Sequence, residues 1–108
     1  MIVGIGVDIV EVKRFEYPRI SDNMLGEQER IDYEKANNKP AYLAKQFAAK
    51  EACIKATGVW AGLSDIQILR HPSGSPYVKS EYFDDYTIQL SISDETEYAV
   101  AFAIAEKA

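Results

Sequence analysis

The sequence predicts an α+β domain in which an antiparallel sheet accompanies one long helix, and three stretches carry that prediction. IVGIGVD, residues 2–8, is short, β-branched and interrupted by glycine, the pattern of a buried strand whose backbone lies close to another element. Residues 40–57 are rich in alanine and other helix formers, with Pro40 placed for a first turn and Gly58 for the stop. YTIQLSIS and YAVAFAIA flank the polar turn DETE, and both alternate with the period of a strand.

The remaining elements follow in order. VEVKRFEY reads as a short helix with Lys13 and Arg14 on its outer side, and residues 17–26 read as irregular. EQERIDYEKA, residues 27–36, is a helix, and NNKP breaks the chain before the long one. Beyond a short Trp/Gly loop, DIQILRH, the turn PSGSP and PYVKS form a hairpin, while EYFDD fits neither period. In the last strand Tyr98, Val100, Phe102 and Ile104 alternate with alanines 99, 101, 103 and 105. A strand apolar on both faces is expected to be buried on both, and in so short a chain one face is open to a second subunit. No repeat or linker divides the sequence, so residues 1–108 are expected to form a single domain.

Composition narrows the function classes. Hydrophobic residues make up 47% of the 108 and charged residues 27%, an ordinary globular balance. No apolar run reaches the length of a membrane span, and the N-terminus carries Asp8 and lacks a basic n-region, so it reads as a strand and not as a signal peptide. A lone cysteine, Cys53, excludes an internal disulfide framework and fits a reducing, cytoplasmic setting. The net charge is −5; residues 1–57 hold nine basic and nine acidic side chains, residues 58–108 three and eight. No basic patch of the nucleic-acid-binding kind is visible. Any basic docking surface must lie in the first half.

The stretch QFAAKEACIKATG, residues 46–58, raises the functional question. At 100° per residue Leu43, Phe47 and Ile54 fall within a narrow arc flanked by Ala44 and Ala48, with Glu51 at its centre, Lys55 one turn on and Lys50 at its edge. A carboxylate on a buried stripe costs several kcal/mol unless it is paired or holds a cation. An i,i+4 pair with Lys55 contributes only about 0.3 kcal/mol when exposed. Asp8, ending an otherwise apolar strand, supplies a second carboxylate, although a capping role before a helix is equally ordinary. Two carboxylates with lysines beside them suit Mg²⁺ together with phosphate groups. The residues by themselves leave the structural and the functional reading both open.

GIGVDIVEVKRF, FAAKEACIKATG, the turn SGSPY, and LSIS followed by EYAVAFAI occur in that order. Together they resemble holo-(acyl carrier protein) synthase, the small trimeric class of 4′-phosphopantetheinyl transferases, over nearly the whole chain. The resemblance implies an antiparallel sheet wrapped around a long central helix. It also implies transfer of the 4′-phosphopantetheine group from coenzyme A to a serine of an apo acyl carrier protein, with release of adenosine 3′,5′-bisphosphate. Asp8 and Glu51 match the pair that holds Mg²⁺ on the coenzyme diphosphate, and Lys55 matches the lysine at the reacting centre. Lys50, Gly58 and Ser93 match positions lining the coenzyme site, and Gly74 and Pro76 match the turn bordering the adenine. Lys13 and Arg14, extended by Arg19, match the basic helix that docks the acidic carrier. The family implies a homotrimer with active sites between subunits. Whether the carrier serves fatty-acid or polyketide synthesis, and whether Glu51 or a metal-bound water takes the serine proton, stay open.

The chain also departs from that pattern. Gln46 stands where the family commonly has arginine, and Asp94 where it often has histidine; the segments before the central helix and at VWAGLSD are short. Gln46 and Asp94 keep open a degenerate homologue that binds coenzyme A or carrier without transfer, and, should the resemblance mislead, the same Asp8 and Glu51 pair would serve a Mg-dependent pyrophosphate or nucleotide hydrolase. His71 is expected to be exposed at the hairpin, Cys53 to be packing filler, and Trp60 to anchor a loop or cover ligand.

Overall fold

The computed structural model describes residues 1–17, 21 and 23–108. Its centre is a 19-residue helix, Lys39–Thr57, which the Asn38 carboxamide caps by accepting the Ala41 N–H and which Gly58 ends at φ 72°. We call this helix α2; α1 is the preceding Glu27–Lys35. Five strands follow the alternation seen in the sequence: β1 (Ile2–Glu11), β2 (Gln67–Arg70), β3 (Pro76–Lys79), β4 (Thr87–Asp94) and β5 (Tyr98–Glu106). β1, β5 and β4 form an antiparallel sheet in that order, and β2 and β3 form the expected hairpin.

One face of the sheet packs on α2. Gly4, Gly6, Asp8 and Val10 of β1 share that face with the alanines of β5, which are at most 1% exposed, and with Ile88, Leu90 and Ile92 of β4. The approach is very close: a Cβ on Gly6 would lie 2.1 Å from the Ala52 carbonyl oxygen. Alanine on the helix and glycine on the strand are therefore required together, because any larger pair would hold the backbones apart.

Two expectations need correction. β1 runs on to Glu11, and Val12–Phe15 forms a single 3₁₀ turn where a short helix was expected. Helix α2 turns its small residues inward: Ala44, Ala48, Ala49 and Ala52 are fully buried, while Phe47, Glu51 and Ile54 are half-buried on its flank. The predicted apolar arc weighted large side chains, whereas the backbone contact favours small ones. In β5 the alanine face is the one buried within the chain, which leaves the other as the face open to a second subunit. That face, with β1, presents Ile5 (63% exposed), Val7, Ile9, Tyr98 and Phe102 to solvent.

Candidate active site

Asp8 points from β1 toward α2, and the Lys55 ammonium reaches it across the glycine-lined contact. Lys55 Nζ lies 3.0 Å from Asp8 Oδ1 and donates as well to the Val7 carbonyl oxygen at 3.0 Å. The Lys55 side chain is half in solvent, so this pair is a modest contributor to stability. Asp8 Oδ2 is different. Among the described residues it is the one buried side-chain oxygen or nitrogen without a hydrogen-bond partner. Glu51 lies one turn before Lys55 on the same helix face, half-buried, and pairs with no described residue. The i,i+4 pair considered from the sequence is not formed; Lys55 turns to Asp8 instead. Gly58 ends the helix immediately beyond. The structure thus brings Asp8, Glu51, Lys55 and Gly58 to one flank of α2.

Lys13 and Arg14 stand exposed on the turn after β1. Lys13 pairs with Glu11 at 3.3 Å, and the Arg14 guanidinium stands over the rings of Phe15 and Phe47, 5.8 and 5.5 Å from their centroids. Phe47 is one turn before Glu51, so Arg14 borders the same flank. Arg19 lies outside the described residues.

The other predicted positions are elsewhere. Lys50, expected to line the coenzyme site, is completely buried and donates to Glu29 Oε1 (2.7 Å) and to the Met24 and Leu63 carbonyl oxygens (2.6 and 2.8 Å). An ammonium group has three protons to donate, so none is left for a phosphate. Burial pushes its pKa down, while the Glu29 carboxylate opposes that shift. Gln46 joins the same cluster, donating to Glu29 Oε2 (2.6 Å) and to the Ile68 carbonyl oxygen (2.8 Å). Glu29, which also accepts from the Gly26 and Ile68 N–H groups, was missed. Its signal was present: a buried lysine in mid-helix demands a carboxylate partner, and EQERIDYEK holds several. Gly74 and Pro76 border the hairpin turn, Gly74 at φ 94°. Ser93 lies exposed on the outer sheet face opposite Val100, turned away from Asp8. Cys53 is fully buried and burial raises its pKa to about 12, which keeps it an inert thiol. His71 is exposed and stacks on Tyr77, and Trp60 is 79% exposed.

A carboxylate with one unpartnered oxygen, a second carboxylate without a partner among the described residues and a half-exposed ammonium suit a cation together with an anionic ligand. The family model of the 4′-phosphopantetheinyl transferase superfamily matches residues 4–103. The chain belongs to that superfamily. Within it, the chain is 37% identical to a holo-[acyl-carrier-protein] synthase of Acholeplasma laidlawii over 98% of both chains. It is 41% identical to that of Dechloromonas aromatica over the full length of both. The fold matches the holo-(acyl-carrier-protein) synthase of Bacillus anthracis in complex with CoA (3′,5′-ADP), with a TM-score of 0.91 and 33% identity, covering 100% of this chain and 99% of that one. The Neisseria meningitidis synthase superposes with a TM-score of 0.89 at 32% identity, over 99% and 100% of the two chains. These similarities place this superfamily member with the holo-[acyl-carrier-protein] synthases, in the class that its motifs resemble. The α+β fold, a sheet packed along a long central helix, is that of the solved synthases.

Proposed function

We propose that the protein transfers the 4′-phosphopantetheine group of coenzyme A to a serine of an apo acyl carrier protein and releases adenosine 3′,5′-bisphosphate. The observation that carries this reading is the empty buried oxygen of Asp8, set beside Lys55 on the flank that also holds Glu51. A polar atom left unsatisfied in an otherwise satisfied interior marks a place for a ligand. Mg²⁺ fits the donor set: Asp8 and Glu51 would hold it through carboxylate oxygens. A cation held by two carboxylates completes its shell with phosphate oxygens and water. Such an ion supplies Lewis-acid neutralisation of the coenzyme diphosphate.

The chain's own residues then position and neutralise. The carrier serine oxygen attacks the β-phosphorus and loses its proton to Glu51 or to water. The bond from the β-phosphorus to the bridging oxygen breaks, and the electron pair leaves on the α-phosphate of the bisphosphate. Lys55, once the diphosphate competes with Asp8 for its ammonium, neutralises that departing charge. Catalysis of this kind is mainly positioning and electrostatics, so a rigid strand–helix contact is the right support. Lys13 and Arg14, bordering the same flank, suit docking of an acidic carrier and raise its association rate.

Two features support a homo-oligomer, a trimer in the family this chain resembles. The open apolar face of β1 and β5 is larger in character than the scattered hydrophobics of a monomer surface, and a second copy is its natural cover. Asp8 lies on β1 against α2, while the hairpin expected to border the adenine is tied to α1 and α2 through Gln67–Gln28 and Ile68–Gln46 hydrogen bonds. A hairpin supplied by a neighbouring copy would complete the site in the way that the resemblance implies. The buried free thiol fits a reducing cytoplasm.

The test is to incubate the protein with coenzyme A, Mg²⁺ and an apo carrier protein and to measure the carrier's intact mass. A phosphopantetheine adduct is expected. Its absence sinks the transferase reading, and coenzyme consumption without carrier would favour a hydrolase.

A further inference from the structure

The Lys55 ammonium is held at two points, Asp8 Oδ1 and the Val7 carbonyl oxygen, each at 3.0 Å. The side chain reaches them by passing close over β1 where the strand carries no side chain: a Cβ on Gly6 would lie 2.9 Å from Lys55 Cβ. Asp8 is 15% exposed and keeps one buried oxygen without a partner, so its carboxylate needs a counter-charge. Lys55 supplies that charge from within the chain.

The tether is nevertheless loose. The Lys55 side chain is 51% exposed, and the third proton of its ammonium has no acceptor among the described residues. A half-solvated ion pair of this kind is easily exchanged for another. A divalent cation approaching Asp8 meets the ammonium already on the carboxylate, and like charges a few ångströms apart repel. Asp8, Glu51 and Lys55 together present one net negative charge; with the ammonium withdrawn the two carboxylates present two, a far better seat for such an ion.

We propose that Lys55 is a built-in counter-ion that keeps the divalent cation off Asp8 until the coenzyme diphosphate draws the ammonium away, so that cation and coenzyme enter the site together. This rests on the transferase reading, which brings a diphosphate within reach of Lys55. The coupling is reciprocal: the coenzyme strengthens cation binding by the factor by which the cation strengthens coenzyme binding. The protein then takes up its metal with its substrate and does not keep it as a resident ion.

Cation binding tests this without turnover. Mn²⁺, a paramagnetic probe in place of Mg²⁺, is titrated into the full-length protein with neither coenzyme nor carrier, and free Mn²⁺ is followed by electron paramagnetic resonance. Lys55→Met, which keeps the length of the side chain and removes its charge, is expected to bind Mn²⁺ about tenfold more tightly than the wild type. Lys55→Gln, which retains an N–H donor for Asp8, is expected to shift in the same direction. Adding Asp8→Asn to Lys55→Met is expected to abolish the gain, which assigns the ion to Asp8. Coenzyme A, added without carrier, is expected to strengthen Mn²⁺ binding by a larger factor in the wild type than in Lys55→Met. Affinity unchanged or weakened in the Lys55 variants, a gain that survives Asp8→Asn, or equal coenzyme factors overturn the proposal. None of these measurements needs transfer, so they are independent of the carrier's mass shift. Should no adduct form, tighter Mn²⁺ binding by Lys55→Met still upholds the counter-ion; an adduct without that tightening removes it.

Discussion

Helix α2 carries two lysine–carboxylate pairs five residues apart, and they behave as opposites. Around Lys50 and Glu29 everything is filled: Oε1 accepts from Lys50 and the Gly26 N–H, Oε2 accepts from Gln46 and the Ile68 N–H, and the ammonium has three acceptors. Around Lys55 and Asp8 the lysine side chain is 51% exposed, Asp8 keeps an unpartnered oxygen, and Glu51 has no partner among the described residues. Residue type and spacing barely distinguish the two. Closure does: Met24 to Gly26, the start of β2 and the loop at Leu63 fold over the first pair, while no described segment folds over the second. A satisfied buried pair is architecture, and a half-covered unsatisfied one is a place for something else.

The comparison breaks most visibly at Glu29. Removing one partner of a buried pair leaves an uncompensated charge, so Glu29→Ala should cost about 3–5 kcal/mol. Urea unfolding measures it; a loss below about 1 kcal/mol would mean the cluster is not the clasp described. The expected loss is in stability, with turnover per folded molecule changing far less. Glu51→Gln reverses the pattern. Transfer should fall on the order of 10²–10³-fold, the scale for losing one electrostatic stabiliser, with thermal stability nearly unchanged. Full turnover in Glu51→Gln would remove that residue from the mechanism.

Gly6→Ala tests the support shared by both regions. Its Cβ would meet the Ala52 oxygen at 2.1 Å and the Ala56 nitrogen at 2.8 Å, both backbone atoms that can yield only by separating β1 from α2. We expect a cost of about 1–3 kcal/mol. Because Asp8 is two residues along the same strand, transfer activity should fall together with the melting temperature. Reduced stability at wild-type activity would show that the site tolerates movement of β1.

These contrasts explain what was legible in the sequence. Helix α2 and its ends were readable because Pro40 and Gly58 act locally, and so were β4 and β5, whose alternation is a local pattern. Asp8, Glu51 and Lys55 could be considered together from the sequence, since one strand end and one helix face suffice to state the idea, and the structure pairs Lys55 with Asp8. Lys50 was misplaced because its environment is made by Met24, Glu29 and Leu63, which are 26, 21 and 13 residues away. A helical wheel has no knowledge of distant segments. It also favoured Phe47 and Ile54 as the inward face, when contact with Gly4 and Gly6 gives that place to alanines. Gln46 read only as a departure from the family's arginine; its partners show it to be a member of the closed cluster.

Cys53 gives the smallest test of the closed side of α2. The thiol is fully buried, and burial raises its pKa from 9.0 to about 12. In the unfolded chain it ionises above about pH 9; in the folded chain it stays protonated until about pH 12. Between those values the unfolded chain binds fewer protons, so stability must fall as pH rises; the contribution is whole below pH 9 and lost by pH 12. Cys53→Ala should therefore flatten the alkaline arm of the stability curve by about 1 kcal/mol per pH unit. Some slope should remain, because Tyr42 is shifted in the same direction, first by burial and then by Glu29 and Asp32. The cavity left by the substitution lowers stability at every pH and does not alter the slope. Parallel curves for the two proteins from pH 9 to 12 would show that Cys53 meets water in the folded state, and the packed side of the helix would then be less closed than its hydrogen bonds imply.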